Sequence, residues 1–217
     1  MAEVESVRSG VTSGFIVDVP EVRALIEETK RLTSTIQNDA ERVEALKPAF
    51  QTLLQANGWL PNEYAQTGDT TGMGGGIAAY ALYRDPGAAL CLFAFVIPSG
   101  KTTPVHDHGS WGLVGLYRGR QLETYYRRTD DGSVAGHAVL EQMEQQTLEQ
   151  GDFYPLLPGA RDIHSVGSDA DGPTISIHVL ANDTGCVQRR QYDLVNQTVK
   201  PFRSVWSNVP CSDPAAS

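Results

Sequence analysis

Two histidines, His106 and His108, stand one residue apart in the segment "TPVHDHGSWGLVGLYRG". The surrounding residues predict a strand, and residues two apart on a strand point to the same face. Two imidazoles on one face can bind the same metal ion. The pair alone is equally compatible with a polar surface or with a hydrogen-bonded pair in the core.

A second group of polar residues lies in "TISIHVLANDTGCVQRR", residues 174–190. If its first half is a strand, Ser176, His178 and Leu180 lie on one face of that strand. The hydroxyl of Ser176 can then hydrogen-bond the ring of His178. Two interpretations remain open, a histidine that takes part in chemistry and a core histidine held by its neighbour.

The elements that must position these residues follow from hydrophobic periodicity. Apolar residues recur every three or four positions from Pro20 to about Gln55, which predicts two helices, and Asp18 with Glu21 predicts a capping box before the first. Beyond a glycine-rich stretch, short apolar runs separated by Gly and Pro predict an antiparallel barrel or jelly roll. Its roughly nine strands are predicted at 77–83, 89–97, 103–108, 113–117, 121–127, 137–144, 163–166, 174–180 and 187–192.

The composition bounds the class of protein. A chain of 217 residues with 41% hydrophobic content and no long apolar stretch predicts a single domain over 1–217. We expect the helices within 15–60, the barrel within 77–208 and a frayed tail at 209–217. A net charge of −9 argues against nucleic acid and against an anionic membrane as partners.

The chain contains three cysteines, Cys91, Cys186 and Cys211. Their odd number and wide spacing match neither a disulfide framework nor a zinc knuckle. The amino terminus lacks the pattern of a secretory signal peptide. We therefore expect a protein of the reducing cytoplasm, with structural cysteines.

Two segments resemble the two cupin motifs. The first motif is matched by Gly100, His106, His108 and Gly119, and the second, more loosely, by Gly151, Pro158, Gly159 and His164. The resemblance implies an all-β cupin jelly-roll barrel with an N-terminal pair of α-helices, and it implies His106, His108 and His164 as metal ligands. Gly112 falls where the first cupin motif has a glutamate, so the resemblance leaves three neutral ligands.

Within the cupins, a three-histidine site without glutamate resembles that of the thiol dioxygenases. The segments "HDHGSWGLVGLYRG", "TISIHVLANDTGCVQRR" and "PFRSVWSN" resemble bacterial 3-mercaptopropionate dioxygenases, relatives of the cysteine dioxygenases. The resemblance implies an enzyme that uses iron(II) and dioxygen to oxidise a small thiol, such as 3-mercaptopropionate or L-cysteine, to a sulfinate. Nickel and zinc are chemically permissible in the same site.

The family also has a Ser-x-His-x-Tyr relay beside the metal. The resemblance places its first two members on Ser176 and His178, but Leu180 stands at the tyrosine position. Because a hydroxyl is lost there, two other functions stay open. One is the same thiol and metal site with a different outcome, namely oxidative decarboxylation or rearrangement, with nickel as a candidate metal. The other is a cupin that binds metal without redox turnover.

A substrate carboxylate would call for an arginine, whose planar fork can bind both oxygens. The resemblance to the mercaptopropionate enzymes indicates Arg189, and the resemblance to the cysteine dioxygenases indicates Arg84, next to Tyr83. Either arginine could equally be a surface residue near a strand end. The oligomeric state is left open.

Overall fold

The computed structural model of the protein describes residues 14–211. Both predicted helices are present, and a short 3-10 helix follows them. Their bounds are Pro20–Thr35 for α1, Asp39–Gln55 for α2 and Asn62–Ala65 for the 3-10 helix. None of the helices among these residues is long and apolar enough to cross a membrane.

The two main helices begin differently. The side chain of Asn38 accepts a hydrogen bond from the backbone N–H of Glu41 and so caps α2. The capping box predicted before α1 is wrong. The N-cap of α1 is Val19, without a side-chain hydrogen bond, and the carboxylate of Asp18 pairs with Arg23 instead. Proline in the first turn still favours the start of α1.

Within residues 14–211, eleven strands follow the helices. They are β1 (Ala78–Arg84), β2 (Cys91–Ile97), β3 (Val105–His106), β4 (Gly112–Arg118), β5 (Gln121–Arg128), β6 (Leu140–Leu148), β7 (Phe153–Leu156), β8 (Ile163–Ser168), β9 (Thr174–Leu180), β10 (Arg189–Asp193) and β11 (Thr198–Phe202). The sequence analysis missed β7 and β11. Each contains a proline, which argues against a strand, but each lies at the edge of a sheet, where a missing N–H is tolerated.

The strands form two antiparallel sheets. The five-stranded sheet has the order β1-β2-β9-β4-β7, and the six-stranded sheet has the order β11-β10-β3-β8-β5-β6. Strands that are distant in sequence are neighbours in both sheets, as in a jelly roll. The predicted fold class, an all-β cupin jelly-roll barrel with an N-terminal pair of α-helices, is confirmed.

The helices cover the outer face of the five-stranded sheet. Phe50 and Leu54 of α2 pack directly on β4 at Gly115, where a Cβ atom would lie 2.4 Å from Leu54 and 2.8 Å from Phe50. Glycine at this position therefore allows the close approach of helix and strand. A large apolar cluster results, formed by residues of both helices together with residues of β1, β2, β4 and β9.

Strand β9 lies in the middle of the five-stranded sheet, and all seven of its residues are buried. Its Ile175, Ile177 and Val179 belong to the cluster under the helices. The intervening residues face the interior of the barrel, where the ring of His178 stacks on Phe93 with centroids 4.4 Å apart. The alternation predicted for Ser176, His178 and Leu180 is therefore present in the structure.

The structure contains a disulfide bond between Cys186 and Cys211. The expectation that no cysteines pair is therefore wrong, because 25 residues of sequence separate two side chains that the fold brings together. The expectation of a reducing cytoplasm loses this support. Within the predicted tail at 209–217, Cys211 forms this disulfide with the loop after β9, and residues 212–217 lie outside the described residues.

Candidate metal centre

Three histidines from the six-stranded sheet and its adjoining loop meet inside the barrel. His106 of β3 pairs in register with His164 of β8, and His108 follows two residues after His106. The distances between the three ring centroids are 4.9, 5.0 and 5.0 Å. One ligand atom from each residue lies within 4.8 Å of the others. Because β3 ends at His106, same-face strand geometry does not explain the position of His108.

The position of His108 depends on the backbone. Its N–H donates to the carboxylate of Asp162 at 2.8 Å, and its carbonyl oxygen accepts from the amide of Asn182 at 3.3 Å. The neighbouring N–H of Gly109 also donates to Asp162, at 3.0 Å. These contacts hold the loop after β3 so that the ring of His108 points toward the rings of His106 and His164.

The remaining ring nitrogens show how the triad is oriented. Nδ1 of His106 lies 2.9 Å from the carbonyl oxygen of Pro104, and Nδ1 of His164 lies 3.0 Å from a carboxylate oxygen of Glu123. Both acceptors favour the tautomer with hydrogen on Nδ1, which leaves Nε2 free to bind a cation. Nε2 of His164 is buried and has no hydrogen-bond partner among residues 14–211.

The protonation of the triad also suits a cation. Burial lowers the pKa of His106 and of His108 well below the usual value, and neighbouring imidazoles and Arg189 lower both further. Neutral imidazoles have the lone pairs that a metal ion requires. The donor set, its burial and the unpartnered nitrogen of His164 fit a divalent transition metal ion bound by three histidines.

Arg189 reaches the same site from β10. One Nη donates to the carbonyl oxygen of Asp107 at 2.7 Å, and the other donates to the hydroxyl of Ser204 at 2.6 Å. Its Nε has no hydrogen-bond partner in the part of the chain that the structure describes. No carboxylate there lies at ion-pair distance from this guanidinium, although the negative charges of Asp107 and Asp162 raise its pKa. Burial lowers the pKa of Arg189 to about 10. The group is still cationic at neutral pH and has donors left for an anion.

His178 and Ser176 lie beside the triad. Oγ of Ser176 is 2.9 Å from Nε2 of His178, and the ring centroid of His178 is 6.5 Å from that of His108. Nδ1 of His178 is buried without a hydrogen-bond partner among the described residues. Burial also holds the pKa of His178 well below its usual value, so the ring is neutral. Its free nitrogen can accept or donate a proton.

The three histidines of the triad, Arg189 and His178 line one small cavity, together with apolar and hydroxyl side chains. The further lining residues are Met73, Ala79, Phe93, Phe95, Val166, Thr184 and Ser204. The free space is about 20 Å³, enough for about one water molecule. A larger ligand must displace a wall side chain. Met73 lies outside the strands, next to Gly72 and Gly74, which have positive φ angles.

The structure does not bring the other three predicted site residues to this cavity. Arg84 pairs with Asp183 and donates to the carbonyl oxygen of Pro210. The ring of Tyr83 lies 4.8 Å from that of Phe15 in the cluster under the helices. Leu180 belongs to an interior apolar cluster and does not line the cavity. Of the two candidate arginines, only Arg189 faces the histidines.

Several residues at the site were not predicted from the sequence, namely Glu123, Tyr154, Met73, Thr184 and Ser204. Glu123 is fully buried while its neighbour Leu122 is 37% exposed, the reverse of the usual pattern. A buried glutamate on a strand is a signal, but only the structure shows which residue of the alternation faces inward. Ser204 follows the last strand in an irregular segment, so periodicity gives no information about it.

No protein-family model matches the chain. Among solved structures, an oxalate oxidase in complex with the substrate analogue glycolate is similar at 15% identity, with a TM-score of 0.40. The similarity covers 54% of this chain and 56% of that one, so the chain spans about half the length of this oxidase. Likeness at this level carries no information about chemistry.

Two further solved structures are similar over about half of this chain. A cupin superfamily protein from Desulfitobacterium hafniense is 15% identical, with a TM-score of 0.35, over 49% of this chain and 78% of that one. A protein with a double-stranded β-helix domain from Klebsiella pneumoniae is 13% identical, with a TM-score of 0.40, over 59% and 87%. The fold and the site together define an antiparallel jelly-roll barrel with a candidate three-histidine metal centre.

Proposed function

We propose that this protein is a mononuclear non-haem iron(II) thiol dioxygenase that oxidises a small mercapto acid, such as 3-mercaptopropionate or L-cysteine. One observation carries the proposal. Three buried imidazoles face the same cavity as a guanidinium that has no carboxylate at ion-pair distance among the described residues. The imidazoles suit a metal ion that binds the sulfur of a substrate, and the guanidinium suits an anionic group on that same substrate.

The three imidazoles would hold the metal by Nε2 of His106 and His164 and by one ring nitrogen of His108. Bound there, iron(II) would supply the redox chemistry that joins both atoms of dioxygen to the substrate sulfur, giving a sulfinate. Three neutral ligands leave the full positive charge of the ion to attract a thiolate. The substrate thiol and dioxygen are thus the proposed partners.

Arg189 would orient the substrate through its carboxylate. Two contacts, to the carbonyl oxygen of Asp107 and to Ser204, hold the guanidinium in place, so little freedom is lost on binding. Charge-assisted hydrogen bonds of this kind contribute about 1.5–3 kcal/mol each. Orientation of the thiol toward the metal is where we expect much of the rate to arise.

His178 would move or hold a proton next to the substrate. Its Nε2 contacts Ser176, and its buried Nδ1 has no hydrogen-bond partner among the described residues. Because Leu180 supplies no hydroxyl, Nδ1 has no fixed partner and can serve the substrate or a water molecule. The missing hydroxyl favours a second candidate function, in which the same metal and thiol give decarboxylation or rearrangement, with nickel as the alternative metal.

The test is oxygen uptake by protein loaded anaerobically with iron(II), using 3-mercaptopropionate, L-cysteine and mercaptosuccinate. The proposal expects dioxygen consumption and a product heavier than the thiol by two oxygen atoms in the mass spectrum. A product that has lost carbon dioxide would support the second candidate. No uptake above that of free iron would overturn both and leave a metal-binding cupin without turnover.

The role of Arg189 has its own test. We expect Arg189→Ala to raise KM for a mercapto acid by about 10- to 100-fold, because charge-assisted hydrogen bonds to the carboxylate are lost. KM for 2-mercaptoethanol, which has no carboxylate, should change little. Arg84→Ala is the matched control, since Arg84 lies outside the cavity. Equal effects on both thiols would contradict carboxylate binding by Arg189.

A further inference from the structure

Glu123 lies behind the metal centre, outside the cavity. It sits on β5, the strand next to β8, and its side chain is fully buried. Oε2 is 3.0 Å from Nδ1 of His164, on the side of the ring away from the cavity. Oε1 has no hydrogen-bond partner among residues 14–211. Sequence reasoning and the proposed reaction leave this carboxylate without a role.

A buried carboxylate is costly unless a positive charge compensates it. No lysine or arginine in the described part of the chain forms an ion pair with Glu123, and the only ion-pair contact there is with His164. The hydroxyl of Tyr154, 3.4 Å from Nδ1 of His164, is the other polar group at this spot. Burial keeps the pKa of Tyr154 well above its usual value, so this phenol is neutral. The phenol also interacts with Glu123, but of the two groups only the ring of His164 can carry positive charge or transmit that of a bound metal ion.

The three histidines are not equivalent in this respect. Nδ1 of His106 contacts a backbone carbonyl oxygen, and Nδ1 of His108 has no hydrogen-bond partner among the residues described. Among the described residues only His164 hydrogen-bonds a carboxylate through its second nitrogen, because Nδ1 of His108 lies 3.8 Å from Asp162, beyond hydrogen-bond distance. Such a contact fixes the ring orientation and makes the other nitrogen a stronger donor to a metal.

The chain has no room for a carboxylate ligand at Gly112. A Cβ atom there would lie 2.0 Å from the carbonyl oxygen of Val179 and 2.6 Å from the side chain of Leu180. Strands β4 and β9 approach too closely for any side chain at that position. Glu123 instead lies 3.0 Å from Nδ1 of His164, closer than Asp162 lies to Nδ1 of His108, and on the side of the His164 ring away from the cavity.

We propose that Glu123 is a positioning residue that orients His164 toward the metal and strengthens it as a ligand, while leaving the cavity side open. The inference rests on the proposed metal centre. It adds a carboxylate–histidine–metal arrangement at one of the three ligands. The negative charge reaches the metal through the imidazole, so no coordination position is used.

The test compares metal affinity of the wild type and Glu123→Gln. Glutamine has nearly the same size and keeps an oxygen that accepts from Nδ1, so the variant removes mainly the charge. We expect Kd for Co²⁺ and Zn²⁺, measured by competition with a chromophoric chelator, to rise about 10- to 100-fold. The visible absorption bands of the Co²⁺ form should also shift, which a purely structural role would not cause.

Glu141→Gln is the matched control. Glu141 lies on the neighbouring strand β6, is exposed, and pairs with Arg127, so its replacement removes the same charge at the surface. Its Kd and Co²⁺ spectrum should match those of the wild type. If Glu123→Gln gives a Kd within about twofold of the wild type and the same spectrum, Glu123 has no positioning role.

A measurement on the wild type makes the test independent of folding of the variant. In the Zn²⁺-loaded protein, the Nδ1 proton of His164 should resonate downfield of that of His106, because its acceptor is charged. The reverse order would overturn the role of Glu123. Failure of the wild type to bind any metal would overturn the metal centre and the proposed function with it, whereas equal binding by the variant overturns only this inference.

Discussion

The two faces of β9 differ in how their groups are satisfied. On the outer face, Ile175, Ile177 and Val179 pack under the helices, and burial alone accounts for their stabilising effect. On the inner face, His178 has a buried nitrogen without a partner in the described structure. The same seven residues thus build a core on one side and present His178 to the cavity on the other.

The interior of the barrel extends this difference. Buried polar atoms without partners among residues 14–211 include Nε2 of His164, Nδ1 of His178, Nε of Arg189 and Oε1 of Glu123. Each such group reduces stability, by about 1–3 kcal/mol. The helix-covered face supplies stability that the cavity does not. We therefore expect substitutions on the helix-covered face to change mainly the free energy of unfolding, and substitutions at the cavity to change mainly metal binding.

The largest effect should follow from His164→Ala. One of three ligands is lost, so we expect the purified protein to retain no stoichiometric metal after dialysis, as measured by elemental analysis. His137→Ala is the control, because His137 lies outside the triad and should leave metal content unchanged. Stoichiometric metal in His164→Ala would show that another residue completes the site, and the contrast between the faces would fail.

A substitution on the other face should give the opposite result. Phe50→Ala removes a fully buried ring that packs against Phe153, with centroids 5.8 Å apart. We expect the free energy of unfolding to fall by about 3–5 kcal/mol, measured with denaturant, while Kd for Zn²⁺ stays unchanged. A large change in Kd would mean that the helix-covered face also determines the geometry of the metal centre.

The disulfide sharpens the comparison, because it holds the cavity side of the barrel covalently. The bond between Cys186 and Cys211 links the loop that contains Thr184 to the segment that contains Ser204. Thr184 and Ser204 both line the cavity. Replacing both cysteines with serine should reduce the free energy of unfolding by about 3 kcal/mol, as expected for closure of a loop of this length. Reductant should then have no further effect, and a stability equal to that of the oxidised wild type would contradict the prediction.

Hydrophobic periodicity allowed prediction of the barrel and the helices, because it is a local signal, whereas only the resemblance to the cupin motifs joined His164 to His106 and His108. The sequence did not distinguish Arg189 from Arg84. Arg84 ends β1 and Arg189 begins β10, so each lies at the end of a strand. Only the three-dimensional arrangement shows that Arg84 pairs with Asp183. Pairing of cysteines depends on the same long-range information.

Other differences have a shorter-range cause. β7 and β11 were not predicted because each contains a proline, which argues against a strand. Both are edge strands, where a proline is tolerated. The strand around His106 is shorter in the structure than predicted, because the N–H of His108 donates to Asp162 instead of to a neighbouring strand. The role of Leu180 as a substitute for tyrosine remains a prediction, because its side chain packs in the interior cluster instead of lining the cavity.

The pairing of β9 on both of its sides makes the chain sensitive to changes in length. β9 is matched residue by residue with β2, and its pairing with β4 has one irregularity, near its start. Deleting a single residue before Ser176 would reverse the inward and outward sets downstream, placing an imidazole under the helices and a valine beside the histidine triad. Evolution of this barrel can therefore proceed by substitution within β9, whereas insertions and deletions are confined to its loops.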